Sequence, residues 1–166
     1  DSRGWTTLHR ASEKGHVDVV KVLMGAGADK DKQDTDDQTP LHIASENGHV
    51  DVVKVLMGAG VDKDKQDSRG RTPLHWASEK DHVDVVKVLI GAGVDKDKQD
   101  KRGWAPFNIA CQRGCVDVVK VLMDADVDKN KQDKCGLTPL HIAIENGHID
   151  VVKVLIDAGA DKDKQD

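Results

Sequence analysis

The stretch DSRGRTPLHWASEKDHVDVVKVLIGAGVDKDKQ, residues 67–99, decides the fold, because close copies of it fill the whole chain. The 166 residues divide into five units in one register, with Asp166 in phase as the start of a sixth: 1–33, 34–66, 67–99, 100–132 and 133–165. A fixed period without insertions is typical of a repeat protein, in which one supersecondary unit is copied and contacts mainly its neighbours. We therefore predict one elongated domain over residues 1–166.

Each unit carries the signals of two short helices. Thr39 followed by Pro40 is typical of a helix N-cap with proline at the first helical position, and Gly48 suits the left-handed turn that ends the helix. The second helix runs through DVVKVL, residues 51–56, which is identical in all five units. Its apolar residues cover two sides, so it is expected to pack between two neighbouring repeats. The charged DKDKQ run at 62–66 then predicts an extended hairpin to the next unit.

These motifs resemble the ankyrin repeat family over essentially the whole chain. The pattern D-x-x-G-x-T-P-L-H-x-A stands at residues 67–77 and 133–143, and Gly-His follows the first helix at 48–49 and 147–148. The resemblance implies an all-α repeat solenoid of helix, turn, helix and hairpin units, whose hairpin tips and first helices line a concave face. It also implies a module that binds other macromolecules on that face, with no catalytic centre, metal or cofactor.

Repeat four departs most from this pattern. Ala105, Asn108 and Cys115 stand where the other repeats have Thr, His and His, and the lost N-cap at Ala105 is expected to cost about 1 kcal/mol. In repeat three, Asp81 replaces a helix-ending glycine. We expect a further loss of stability there, because aspartate adopts the left-handed conformation less readily than glycine does.

Variation between the repeats concentrates in the hairpin tips and on the side of the first helix that we expect to be exposed. All the arginines and tryptophans fall in these variable positions, although the whole chain has a net charge of −5. Arginine and tryptophan are enriched at binding hot spots, because they combine a large contact area with directional bonds. We therefore predict a partner-binding docking strip, which consists of Arg3, Trp5, Gln38, Arg69, Arg71, Trp76, Lys80, Arg102, Trp104, Arg113 and Leu137.

A structural explanation of the docking strip stays open beside the functional one. In it, Trp76 fills space between helices, the other tryptophans cover neighbouring hairpins, and the arginines are solvated. The function predicted first is non-catalytic binding of another protein. One alternative is binding of nucleic acid or a phosphorylated ligand by the basic strip, with an affinity that falls steeply with salt. Another is a structural spacer in a larger ankyrin array, in which replacing the tryptophans changes stability alone.

Other chemically capable residues fit structural roles better. All eight histidines fall in two repeat positions, where the family uses histidine to brace turns and hairpins. Ser45 and His49 have a spacing that could pair a nucleophile with a base, but no third residue orients them. Cys111 and Cys115 lack zinc-like spacing and are assigned to packing or drift. We therefore predict no enzyme activity.

The cysteine usage and the ends of the chain suggest its setting. An odd number of cysteines favours a reducing compartment, so we expect an intracellular, cytoplasmic protein. No apolar run approaches the roughly 18 to 20 residues that a membrane span requires, so no membrane insertion is expected. The segment DVVKVLIDAG at 150–159 is as apolar as the internal helices, although terminal repeats usually have a polar outer face. We expect either a longer array or end-to-end self-association through the terminal repeats.

Overall fold

The computed structural model describes residues 2–163, so Asp1 and residues 164–166 at the predicted domain ends lie outside it. The described residues form ten α-helices, two in each repeat, and no β-strand. In chain order they are α1 Thr7–Lys14, α2 Val17–Gly25, α3 Pro40–Glu46, α4 Val50–Gly58, α5 Pro73–Glu79, α6 Val83–Gly91, α7 Pro106–Arg113, α8 Val116–Asp124, α9 Pro139–Glu145 and α10 Ile149–Asp157. The predicted all-α repeat solenoid is confirmed.

The second helices form the continuous core of the stack. Helix α4 lies between α2 and α6, and its Val52, Val53 and Leu56 are fully buried. The equivalent side chains of α6 and α8 are buried in the same way, which is the predicted burial on two sides. The outer face of repeat five is different, because Ile149 is 67% exposed and Ile156 is 46% exposed. Coverage of that face by a further repeat or a second chain stays a prediction.

In repeats one to three, the N-cap threonine and the histidine of the first helix form a cap that also joins two repeats. Thr39 is the N-cap of α3, and its N–H donates to His42 Nδ1 at 3.1 Å. Because Nδ1 accepts, the proton of the neutral ring lies on Nε2, which donates to the carbonyl of Arg71 in the next repeat at 3.0 Å. The same link to the next repeat, also at 3.0 Å, joins His9 to Gln38 and His75 to Trp104.

Repeat four lacks this link. Ala105 has no side-chain oxygen for a cap, and only half of the exchange remains, in which Asn108 Oδ1 accepts the Ala105 N–H at 3.0 Å. The buried Nδ2 of Asn108 has no hydrogen-bond partner, because the shorter side chain does not replace the histidine Nε2. The expected weakness of repeat four therefore extends to its junction with repeat five.

A glycine and a histidine make a second junction where each first helix ends. Gly15 has a φ of +70°, and a Cβ built there would lie 2.6 Å from His49 Nδ1, so only glycine fits against that ring. His49 Nε2 also donates to the carbonyl of Glu13 at 2.8 Å. The same pairing joins Gly48 to His82 and Gly114 to His148.

Repeats three and four make this junction with different residues. Asp81 occupies the glycine position with a φ of 59°, and the residue that packs against it is Cys115 instead of histidine. Burial and the negative charge of Asp81 both raise the pKa of the Cys115 thiol. Cysteine is smaller than histidine, so the aspartate Cβ fits in the space that a histidine ring would fill. The two departures therefore compensate each other.

The DKDKQ runs also connect neighbouring repeats. Lys30 Nζ donates to the carbonyl of Ala59 at the C-terminal end of α4, and Lys63 does the same to Ala92, both at 2.6 Å. A positive charge at a helix C-terminus is favourable, because the last carbonyls carry partial negative charge. The first lysine of these runs therefore binds the next repeat, while other residues of the runs face solvent.

Candidate functional site

The aspartate that opens each of repeats two to five organises the hairpin tip. Asp67 Oδ1 accepts the backbone N–H groups of Arg69 and Arg71 at 2.8 and 2.9 Å. Its own N–H donates to the carbonyl of Arg71 at 2.9 Å, which closes the tip. Neighbouring tips are joined as well, because Lys101 N–H donates to the carbonyl of Arg69 at 3.0 Å. The tips therefore form one connected row along the stack.

Two of the predicted tryptophans bind the next tip through the second oxygen of this aspartate. Trp5 Nε1 donates to Asp34 Oδ2 at 2.8 Å, and Trp104 Nε1 donates to Asp133 Oδ2 at 2.7 Å. Both indoles are half-buried. These contacts fit the alternative in which the tryptophans cover neighbouring hairpins, although part of each ring still faces solvent.

Trp76 lies inside the molecule. Only 7% of it is exposed, and its Nε1 donates to Asp67 Oδ2 at 3.0 Å within its own repeat. The equivalent Ile43, Ile109 and Ile142 are buried too, so the expected exposure of this side of the first helix is wrong for these repeats. Space filling between elements accounts for the placement of Trp76.

A buried ion network connects repeats three and four. Arg71 is 7% exposed and pairs with Glu79, and its Nε lies 3.8 Å from Asp100 Oδ2 in the next repeat. Arg113 of repeat four binds the other oxygen of Glu79. Burial acts to raise the pKa of Glu79, but the hydrogen bond from Arg113 and the charge of Arg71 outweigh it and hold the pKa below its usual value.

Three tips carry an arginine stacked on a tryptophan. The Arg3 guanidinium carbon lies 3.6 Å from the centre of the Trp5 ring, and the Arg102 guanidinium carbon lies 4.3 Å from the Trp104 ring. Arg69 stands 5.7 Å from the buried Trp76. All three arginines are exposed. A guanidinium on an indole is held in place by cation–π attraction while its edge stays available for hydrogen bonds.

A family model described as "Ankyrin repeats (3 copies)" matches residues 8–100 and 89–166. The chain belongs to the ankyrin repeat family. Ankyrin repeats are generally modules for protein–protein interaction and are generally non-enzymatic. The stacked helix pairs and the row of hairpin tips described above are this family's architecture in the present chain.

The ankyrin stack divides the docking strip into three groups by exposure. The exposed side chains are Arg3, Arg69, Lys80, Arg102 and Arg113. The half-buried ones are Trp5, Gln38, Trp104 and Leu137, and the buried ones are Arg71 and Trp76. Two residues of this surface were not predicted. Glu79 pairs with Arg71 and Arg113 of the docking strip. Lys101 could have been predicted, because it is a basic residue at a variable position of the hairpin tip.

Two of the three thiols, Cys111 and Cys115, are buried, whereas Cys135 is exposed. Burial and the charge of Asp81 raise the pKa of Cys115 to about 11, and burial raises the pKa of Cys111 well above its usual value. Both thiols are therefore protonated at neutral pH. Within residues 2–163, no group of three or more His, Cys, Asp or Glu side chains is placed to hold a metal ion. No helix in that part of the chain is long and apolar enough to cross a membrane.

Proposed function

We propose that this ankyrin chain binds a protein partner on the docking strip, without catalysis, through the exposed arginines of the hairpin tips. The observation that supports the proposal is the stacking of Arg3 on Trp5 and of Arg102 on Trp104. Each tryptophan is in turn fixed by a hydrogen bond to the next tip. Side chains that are already ordered lose less conformational entropy on binding, so such positions suit an interface hot spot.

The exposed positive charge of the strip is greatest at repeats three and four. Arg69 and Arg102 stand on the two tips, and Lys80 and Arg113 are exposed at the ends of their first helices. Buried Arg71 and Trp76 then serve as the support of this surface instead of touching the partner. Substitution of those two residues would change folding together with binding, so they are unsuitable for a test of function.

The experiment is a pull-down from a nuclease-treated lysate with the parent chain and two variants. The tip variant carries Arg3→Ala, Arg69→Ala and Arg102→Ala. The control variant loses the same charge from exposed lysines of the second helices, each of which pairs with an aspartate on its own helix. It carries Lys21→Ala, Lys54→Ala and Lys87→Ala.

We expect a protein that the parent and the control retain and that the tip variant loses by about tenfold or more, as truncation of a hot spot predicts. Circular dichroism establishes that all three proteins are equally helical. Equal recovery by all three proteins would contradict the proposal. In that case the spacer alternative, with contacts at the terminal repeats, would become the better account.

A further inference from the structure

The tips of repeats three and four enclose an open pocket with an unusual charge. It has a volume of about 390 Å³ and is lined by Ser68, Arg69, Arg71, Asp100, Lys101 and Arg102. We call these residues the tip pocket. Arg69, Lys101 and Arg102 are exposed, whereas Arg71 and Asp100 are buried beneath them.

The one carboxylate of the tip pocket is already occupied. Asp100 Oδ1 accepts the backbone N–H groups of Arg102 and Trp104 at 2.8 and 3.0 Å. Asp100 Oδ2 lies 3.4 Å from Arg102 Nε and 3.8 Å from Arg71 Nε. Arg71 is also paired with Glu79, so three exposed basic side chains, Arg69, Lys101 and Arg102, remain around a carboxylate that has its polar contacts within the protein. The remaining field at the mouth of the pocket is positive.

The tips of repeats one and two provide an internal comparison. The pocket there contains Arg3, but it is also lined by the carboxylates of Glu13, Asp34, Asp36 and Glu46. The residue equivalent to Arg69 and Arg102 in repeat two is Asp36. The positive balance is therefore a property of the tip pocket and is not a general property of the repeat.

We propose that the tip pocket binds an anionic side chain, a carboxylate or a phosphate monoester, that belongs to an acidic segment of the partner protein. This rests on the proposed function and names the chemistry of its central contact. Two guanidinium groups supply parallel N–H donors that match the oxygens of either anion, and Lys101 adds a point charge. The hydroxyl of Ser68 supplies a further donor at the rim.

The test is a titration of the ¹⁵N-labelled full chain with short peptides, followed by the NMR shifts of the backbone amides. The probes are hexaglutamate, hexaglutamine, a phosphoserine peptide of equal length and a single-stranded oligothymidylate. We expect hexaglutamate and the phosphoserine peptide to move the amides of Arg69, Gly70, Lys101 and Arg102, and hexaglutamine to move none of them. A phosphoserine peptide that binds about tenfold more tightly than hexaglutamate identifies phosphate as the preferred anion, and a hexaglutamate peptide that binds more tightly identifies carboxylate.

Matched variants locate the binding. Arg69→Asp and Arg102→Asp each introduce the residue that repeat two carries at this position, so the tip can accommodate it. Each is expected to weaken hexaglutamate binding by about tenfold or more, because a charge-assisted hydrogen bond is replaced by repulsion. Lys87→Asp makes the same charge change on the second helix of repeat three, outside the docking strip, and is expected to leave the binding unchanged.

Three results would overturn the assignment. They are an absence of shifts at the tips with both acidic peptides, equal weakening by Lys87→Asp, or shifts at these amides with the oligothymidylate alone. If the pull-down identifies a partner and the acidic peptides do not bind, the tip pocket is refuted and the proposed function stands. If the peptides bind and the tip variant retains every protein that the parent retains, the proposed function is refuted, whereas anion binding in the tip pocket stands.

Discussion

Replacing Cys115 by histidine should destabilise the parent chain by about 2 kcal/mol, and it should stabilise a chain that already carries Asp81→Gly. Histidine is the residue that repeats one, two, three and five have at this position. The change therefore looks like a return to the repeat pattern. The substitution has opposite effects in the two backgrounds because residue 115, at the start of a second helix, packs against residue 81, at the end of the preceding repeat's first helix.

The magnitude follows from the three junctions that pair glycine with histidine. A Cβ built on those glycines would come within 2.6–2.8 Å of the histidine ring, whereas carbon atoms in favourable contact lie about 3.5–4.0 Å apart. Asp81 has such a Cβ, so a histidine at position 115 overpacks the junction at a cost of about 1–3 kcal/mol.

Removal of the Asp81 side chain reverses the effect. With Asp81→Gly, the histidine ring fits and its Nε2 can donate to the carbonyl of Glu79, as the equivalent histidines do at 2.7–2.9 Å in the other junctions. Such a hydrogen bond contributes about 1 kcal/mol. Asp81→Gly alone is expected to be nearly neutral, because relief of the left-handed aspartate offsets the lost packing of its side chain against Cys115. The coupling between the two substitutions is then about 3 kcal/mol.

Urea unfolding of the four proteins, followed by far-UV circular dichroism, measures this coupling as a double-mutant cycle. Equal denaturant slopes show that the stack still unfolds as one unit in every variant. The reasoning is refuted if Cys115→His changes the free energy of unfolding by the same amount in both backgrounds, to within about 0.5 kcal/mol.

Three further predictions concern stability. Ala105→Thr together with Asn108→His should raise the free energy of unfolding by about 2 kcal/mol, because the cap and the bond to repeat five both return. Urea unfolding checks this, and a double variant no more stable than the parent would contradict it. Asp37→Gly should add about 1 kcal/mol, because Asp37 has a φ of 59° where most repeats have glycine. The control Asp36→Gly should give no gain in thermal unfolding. Burial lowers the pKa of His75 to about 4, against about 6.5 in the unfolded chain, so the unfolded state binds more protons in this interval. Stability should therefore fall by roughly 3 kcal/mol between pH 6.5 and 4, and a His75→Asn variant should lose less in urea titrations across that range.

The sequence was sufficient to predict the fold because its signals are local or periodic. The Thr39 and Pro40 pair predicted where α3 begins, and the glycines that follow most of the helices predicted where the chain turns. Five copies of the same pattern then implied that each second helix packs between two others. Each of these inferences needs only neighbouring residues and the repeat register.

The candidate surface was less predictable, because its geometry depends on contacts between repeats. Trp5 and Trp76 are both variable aromatic residues, yet one reaches the aspartate of the next tip and the other reaches the aspartate of its own tip. The variable position of the first helix also turned inward, which composition does not reveal. The contact between Asp81 and Cys115 could not be predicted for the same reason. The two residues lie in adjacent repeats, and each alone looked like an unrelated departure from the repeat pattern.

The glycine–histidine junctions also limit how this chain can be shortened by recombination between its repeats. Excision of residues 100–132 would set His148 against Asp81, and the ring would meet a Cβ where it now meets glycine. Excision of residues 67–99 would set Cys115 against Gly48, which removes a hydrogen bond but creates no overlap. Repeat three can therefore be lost from the array more readily than repeat four, although repeat four is the one that departs most from the common pattern.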